Sequence, residues 1–87
     1  DVRVNCVCPG YVDTDMIRLS VKKKADPDAA WQKMIDYAPL RRIASTEEIA
    51  YAVLYLASDK ARNITGTSLA IDGGTTAGDK TIVGKNI

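Results

Sequence analysis

Asn5-Cys6-Val7-Cys8-Pro9-Gly10-Tyr11-Val12-Asp13-Thr14 is an apolar strand that runs into a Pro-Gly pair and leaves it as a short polar loop. In open α/β sheets ligands sit in the crevice beyond the carboxyl ends of the parallel strands, so the turn at Pro9-Gly10 is where a site is expected. Each residue type there has a use. Pro9 fixes φ and offers no N–H, Gly10 permits close backbone approach, and Thr14 carries a hydroxyl that both donates and accepts. The plainer reading is a strand-to-helix turn with no further role.

Upstream, Val2, Val4, Cys6 and Cys8 alternate with Arg3, Asn5 and Val7, a period of two that predicts a strand over Val2–Cys8 with apolar groups on both faces. Strands of this kind belong inside parallel sheets covered on two sides, whereas a two-stranded sheet alone is marginal. The strand therefore implies neighbours outside this chain. Cys6 and Cys8 share a face at i, i+2, and with no His and no third Cys in the sequence they do not make a zinc site. They read as buried thiols of a reducing, cytoplasmic compartment.

Downstream, Asp15 to Lys24 is mixed and ends in Lys22-Lys-Lys24, which reads as a solvated loop. Asp26 then stands as an N-cap with Pro27 at the first helical position. Trp31, Met34, Ile35 and Ala38 fall at i, i+3, i+4 and i+7 on one apolar stripe, and Pro39 ends it. Ser45-Thr-Glu-Glu48 is a capping box that opens the best-defined helix, Ser45–Asp59. Ile49, Ala52, Val53 and Leu56 form its core stripe. Tyr51, Leu54, Tyr55 and Ser58 form a second stripe, rotated from the first, as expected of a helix covered on two sides. Thr67–Asp72 is a second strand closed by the tight turn Gly73-Gly74, so that strand, helix and strand make a βαβ unit with parallel strands. The segment from Thr75 to Ile87 is expected to lie on the surface or to be loosely ordered.

With 87 residues the chain is one domain or less, and its 46% apolar and 26% charged content is that of an ordinary globular protein. A formal charge of +1 gives no field to recruit nucleic acid or anionic lipid, and no apolar run reaches membrane-spanning length. No signal-peptide pattern opens the sequence.

Val2-Arg-Val-Asn-Cys-Val-Cys-Pro-Gly-Tyr-Val-Asp-Thr14, Pro39-Leu-Arg-Arg-Ile-Ala44, Glu47-Glu-Ile-Ala50, Leu54-Tyr-Leu-Ala-Ser58, Ile64-Thr-Gly66 and Asp72-Gly-Gly74 occur in that order. Together they resemble the C-terminal part of a short-chain dehydrogenase/reductase. The resemblance implies an α/β fold, the C-terminal portion of a Rossmann-like doubly wound parallel sheet with the order strand, lid helix, helix, strand, and one nicotinamide-binding domain of which residues 1–87 are a segment. It implies hydride transfer between NAD or NADP and a small carbonyl or alcohol substrate. The family's Gly-rich fingerprint and Tyr-x-x-x-Lys pair do not occur in this sequence, so no catalytic residue is assigned here. For cofactor binding the resemblance points to Pro9 and Gly10 as a wall, Tyr11 beside them, the backbone N–H and C=O of Val12 on the carboxamide, and the Thr14 hydroxyl nearby. Met16, Trp31 and Met34 become candidates for the substrate side. Helix Ser45–Asp59 and strand Thr67–Asp72 become the interface of a homodimer or homotetramer. A non-catalytic interaction module built on the same helix is the alternative.

Overall fold

The computed structural model describes residues 1–77. Its sheet has two parallel strands, β1 (Cys6–Pro9) and β2 (Ser68–Ile71), in a register that sets Cys6 opposite Ser68 and Pro9 opposite Ile71. Parallel strands need a crossover, and helices supply it. The ladder continues past β1, since the Gly10 N–H donates to the Ile71 carbonyl at 3.0 Å.

Strand β1 begins at Cys6, not at Val2 as the alternation predicts. The reason lies in its neighbour, which is a loop there. The Asn5 carboxamide replaces ladder bonds, donating to the Ile64 carbonyl and accepting from the Thr67 N–H, each at 3.0 Å. The Arg3 guanidinium meanwhile donates to the carbonyls of Leu56, Ile64 and Ser58. Those include carbonyls left over at the end of a helix, so Arg3 ties the incoming chain to that helix terminus.

Three α-helices follow β1. The first, α1 (Asp15–Lys22), was not expected: Thr14 caps it by accepting from the Ile17 N–H, and Lys22 lies in its last turn instead of in a loop. The second, α2 (Pro27–Tyr37), has the predicted Asp26 cap and Pro27 start. The third, α3 (Thr46–Ala57), carries the full capping box: Ser45 accepts from the Glu48 N–H, and the Glu48 carboxylate accepts from the Ser45 N–H. A short 3-10 turn over Asp59–Ala61 leads towards β2.

Among the described residues the buried apolar side chains are Val21, Ala38, Leu56 and Ala61. Along the chain through β1 and the residues before it, Arg3, Asn5 and Val7 are half-buried, while Val2, Val4, Cys6 and Cys8 are exposed. The expectation of buried thiols is therefore not met. Their face has nothing over it among the described residues, and the neighbouring Cys6 thiol, by hydrogen bonding, pushes the Cys8 thiol above its usual range. Val53, expected in the core stripe, is also exposed, whereas Ile49 and Ala52 are half-buried and Leu56 is buried. No helix among the described residues is long and apolar enough to cross a membrane.

Candidate functional site

The site grows from the loop that leaves β1. Gly10 gives the close approach there: a Cβ on it would stand 3.0 Å from the Cβ of Asp72 and 3.1 Å from its Cα, tighter than an ordinary contact. The residue that follows β2 thus lies directly against the Pro-Gly turn. Beyond it, Val12 forms an isolated parallel bridge with Ala44: the Ala44 N–H donates to the Tyr11 carbonyl at 3.2 Å, and the Asp13 N–H donates to the Ala44 carbonyl at 2.8 Å. Successive amides of extended chain point to opposite sides. The N–H and C=O of Val12 accordingly point away from Ala44, and neither has a hydrogen-bond partner among the described residues. A half-buried residue with a bare donor and a bare acceptor on the same backbone is suited to a ligand carrying a primary carboxamide.

Thr14 comes next, extended at φ −126° and ψ 161°, with Oγ1 accepting from the Ile17 N–H at 3.2 Å. A hydroxyl has one donor and two acceptor sites, so capping α1 leaves its hydrogen free to donate.

Facing this loop is a cleft of about 680 Å³ bounded by Pro9, Gly10, Tyr11, Met34, Tyr37, Leu40, Ile71 and the Asp72–Gly74 turn, among others. Its walls are mainly apolar and aromatic. The Tyr11 and Tyr37 rings meet edge to face, centroids 5.8 Å apart. At Gly73, φ is 63°, and a Cβ would stand 3.0 Å from the Ala38 Cβ; this glycine lets the end of β2 pack on the end of α2. The Leu40 N–H donates to the Gly73 carbonyl at 3.0 Å and fixes that contact.

The charged groups lining the cleft are already satisfied. Arg42 donates to both Glu48 oxygens at 2.6 and 2.8 Å, and this pair, together with the Ser45 N–H, pushes the Glu48 carboxyl down to about 2. Asp72 accepts from the Thr76 hydroxyl at 2.7 Å and from the Gly74 and Thr76 N–H groups, which hold its carboxyl below the usual range. Among the described residues no cluster of three potential metal ligands forms.

The structure brings Pro9, Gly10, Tyr11 and Met34 to one cleft. Val12 and Thr14 lie on the loop just past it. Trp31 packs against Arg18, whose guanidinium carbon is 4.9 Å from the ring centroid, and Met16 is 76% exposed on α1, so neither joins the cleft wall. Sequence reasoning did not single out Tyr37, Leu40, Arg42, Glu48 or Asp72 for this wall. For Leu40, Arg42, Glu48 and Asp72 a signal existed, since all four lie in the ordered motifs; Tyr37 at a helix end gave none.

The family model described as Enoyl-(Acyl carrier protein) reductase matches residues 1–76. An uncharacterized oxidoreductase of Thermotoga maritima is 41% identical over 76 residues, covering 87% of this chain and 30% of that protein. Dehydrogenase/reductase SDR family member 6 of Rattus norvegicus is 42% identical over 73 residues, covering 84% and 30%. Among solved structures, a short chain dehydrogenase family protein from Francisella tularensis superposes with a TM-score of 0.81 at 46% identity, covering 87% of this chain and 34% of that one. The chain spans about a third of the length of the curated relatives it matches.

Proposed function

The chain belongs to the short-chain dehydrogenase/reductase family and has the α/β fold of its Rossmann-type members, and we propose that it is the nicotinamide-orienting and substrate-covering segment of an oxidoreductase domain. The substrate class is a small carbonyl compound or its alcohol, and the cofactor NAD or NADP. Bound there, the cofactor gives or takes the hydride. The chain's own residues orient and enclose. The Val12 N–H donates to the carboxamide oxygen and the Val12 C=O accepts from its NH₂, which fixes the ring's rotation. Pro9 and Gly10 form the wall against the ring, Tyr11 stands beside them, and the Thr14 hydroxyl donates nearby. Met34, with Tyr37 and Leu40, closes the cleft on the substrate side and keeps water from it. Trp31 and Met16 act on that side through the lid they belong to. Assembly into a homodimer or homotetramer through α3 and β2 is part of the same reading.

The carrying observation is the pair of unpartnered Val12 amide groups, turned away from the bridge that fixes them. Val12→Pro in the full-length protein removes an N–H that no contact among the described residues uses, with Val12→Ala as control. Losing one hydrogen bond of about 0.5–1.5 kcal/mol should weaken nicotinamide cofactor binding roughly three- to tenfold and leave ADP-ribose binding unchanged. Equal affinity of Val12→Pro and wild type for the whole cofactor would overturn the assignment.

A further inference from the structure

The excursion from Thr14 to Ile43 leaves and re-enters the fold at one point, the bridge of Tyr11 and Asp13 to Ala44. Helix α2 has a second anchor at its C-terminal end, where Leu40 bonds Gly73 and Tyr37 meets Tyr11. The start of α2 lies far along the helix from that anchor, and α1 packs on α2. Between these parts and the stem of the excursion, the bridging segment 11–13, stands Arg18. It donates Nε and Nη2 to the two carboxylate oxygens of Asp13 at 2.6 and 2.7 Å, and its guanidinium carbon lies 4.9 Å from the Trp31 ring centroid. Asp13 is on the stem, Arg18 on α1 and Trp31 on α2. One planar side chain therefore touches all three.

We propose that Arg18 is a positioning residue that latches α1 and the N-terminal half of α2 to the stem as one body, so that the wall carrying Met34 is held over the cleft. The fork of a guanidinium meets both carboxylate oxygens in its plane while its flat face remains open to the indole; a lysine ammonium is a point charge and does one of these at a time. The pair is partly exposed, with Arg18 at 57% and Asp13 at 34% side-chain exposure. Such pairs add little to global stability. The effect of Arg18 accordingly falls on where α1 and α2 sit, not on whether the protein folds. Its consequence for substrate rests on the oxidoreductase reading above; the latch itself does not.

The test compares wild type with Arg18→Met and Arg18→Lys in the full-length protein, by hydrogen exchange and by steady-state kinetics. In both variants amides of α1 and of the turn around Trp31 should exchange roughly tenfold faster, while those of Leu40 and α3 keep their rates. KM for the carbonyl or alcohol substrate should rise about three- to tenfold with kcat unchanged or higher, since a loosened lid holds substrate less and releases product no slower. Raising ionic strength from about 0.01 to about 1 M shortens the Debye length from about 30 to about 3 Å, and should raise KM in wild type but not in Arg18→Met. Unchanged exchange, or faster exchange confined to α1, would overturn the latch. Faster exchange with KM unmoved would overturn its positioning role. If wild type shows no nicotinamide-dependent turnover, the oxidoreductase reading fails, and the exchange data still decide the latch.

Discussion

Under the proposed function, Thr14 is one side chain that serves fold and site together. Its hydroxyl oxygen caps α1, so Thr14→Val should cost about 0.5–2 kcal/mol of stability, read as a lower melting temperature. The same substitution removes the free hydroxyl hydrogen. Cofactor affinity in the full-length protein should then fall about three- to tenfold, at about 1.4 kcal/mol per decade. Thr14→Ser keeps both properties and should match wild type in melting temperature and in affinity. A variant Thr14→Val that melts earlier but binds cofactor normally would leave Thr14 a cap and nothing else. Pro9, Gly10 and the Glu48 capping box were legible from residue type because each is a local backbone demand. Val12 was not legible in that way, since its value lies in which way an amide points, and that depends on Ala44, far along the chain. Only the family resemblance pointed to it.

Among the elements, α3 and α2 were legible because caps and apolar stripes coincide. Helix α1 was missed because Thr14 was read as a ligand contact and the segment's lysines as loop, although Thr14, Asp15 in the first turn and Lys22 in the last are ordinary helix signals. The rotated stripe of α3 stands out in the structure: Tyr51 is 69% and Leu54 67% exposed. Exposed aromatic and aliphatic groups at helical spacing on a helix already packed on its other side are a surface awaiting cover. If α3 is the subunit interface of the full-length protein, Leu54→Glu buries a carboxylate without a partner, at a cost of about 3–5 kcal/mol. Light scattering should then find a smaller particle with its secondary structure retained. An unchanged mass would remove this face from the interface.

Taken as a whole, the molecule is spread out. Its radius of gyration is 15.5 Å, against about 12 Å for a compact domain of this length, and among the described residues one face of the sheet is bare. Residues 1–87 made alone should lack a sharp thermal transition and should scatter X-rays as an expanded particle; a cooperative melt would show that the two strands and three helices suffice. The missing cover was legible in the two-faced alternation of β1, while the lid's path was not, because nothing local says that Tyr11 and Ala44 meet. That meeting has a consequence for inheritance. Because the excursion starts and finishes at a single pair of hydrogen bonds and is otherwise tied to β2 only through the end of α2, the stretch ahead of that second anchor can lengthen, shorten or be exchanged for another protein's version without moving either strand, each doubling of length adding only about 0.6 kcal/mol of closure cost. If the proposed function holds, substrate preference rides on that exchangeable stretch, and a graft between relatives has natural splice points in Asp13 and Tyr37, which leave the anchor at the end of α2 in place.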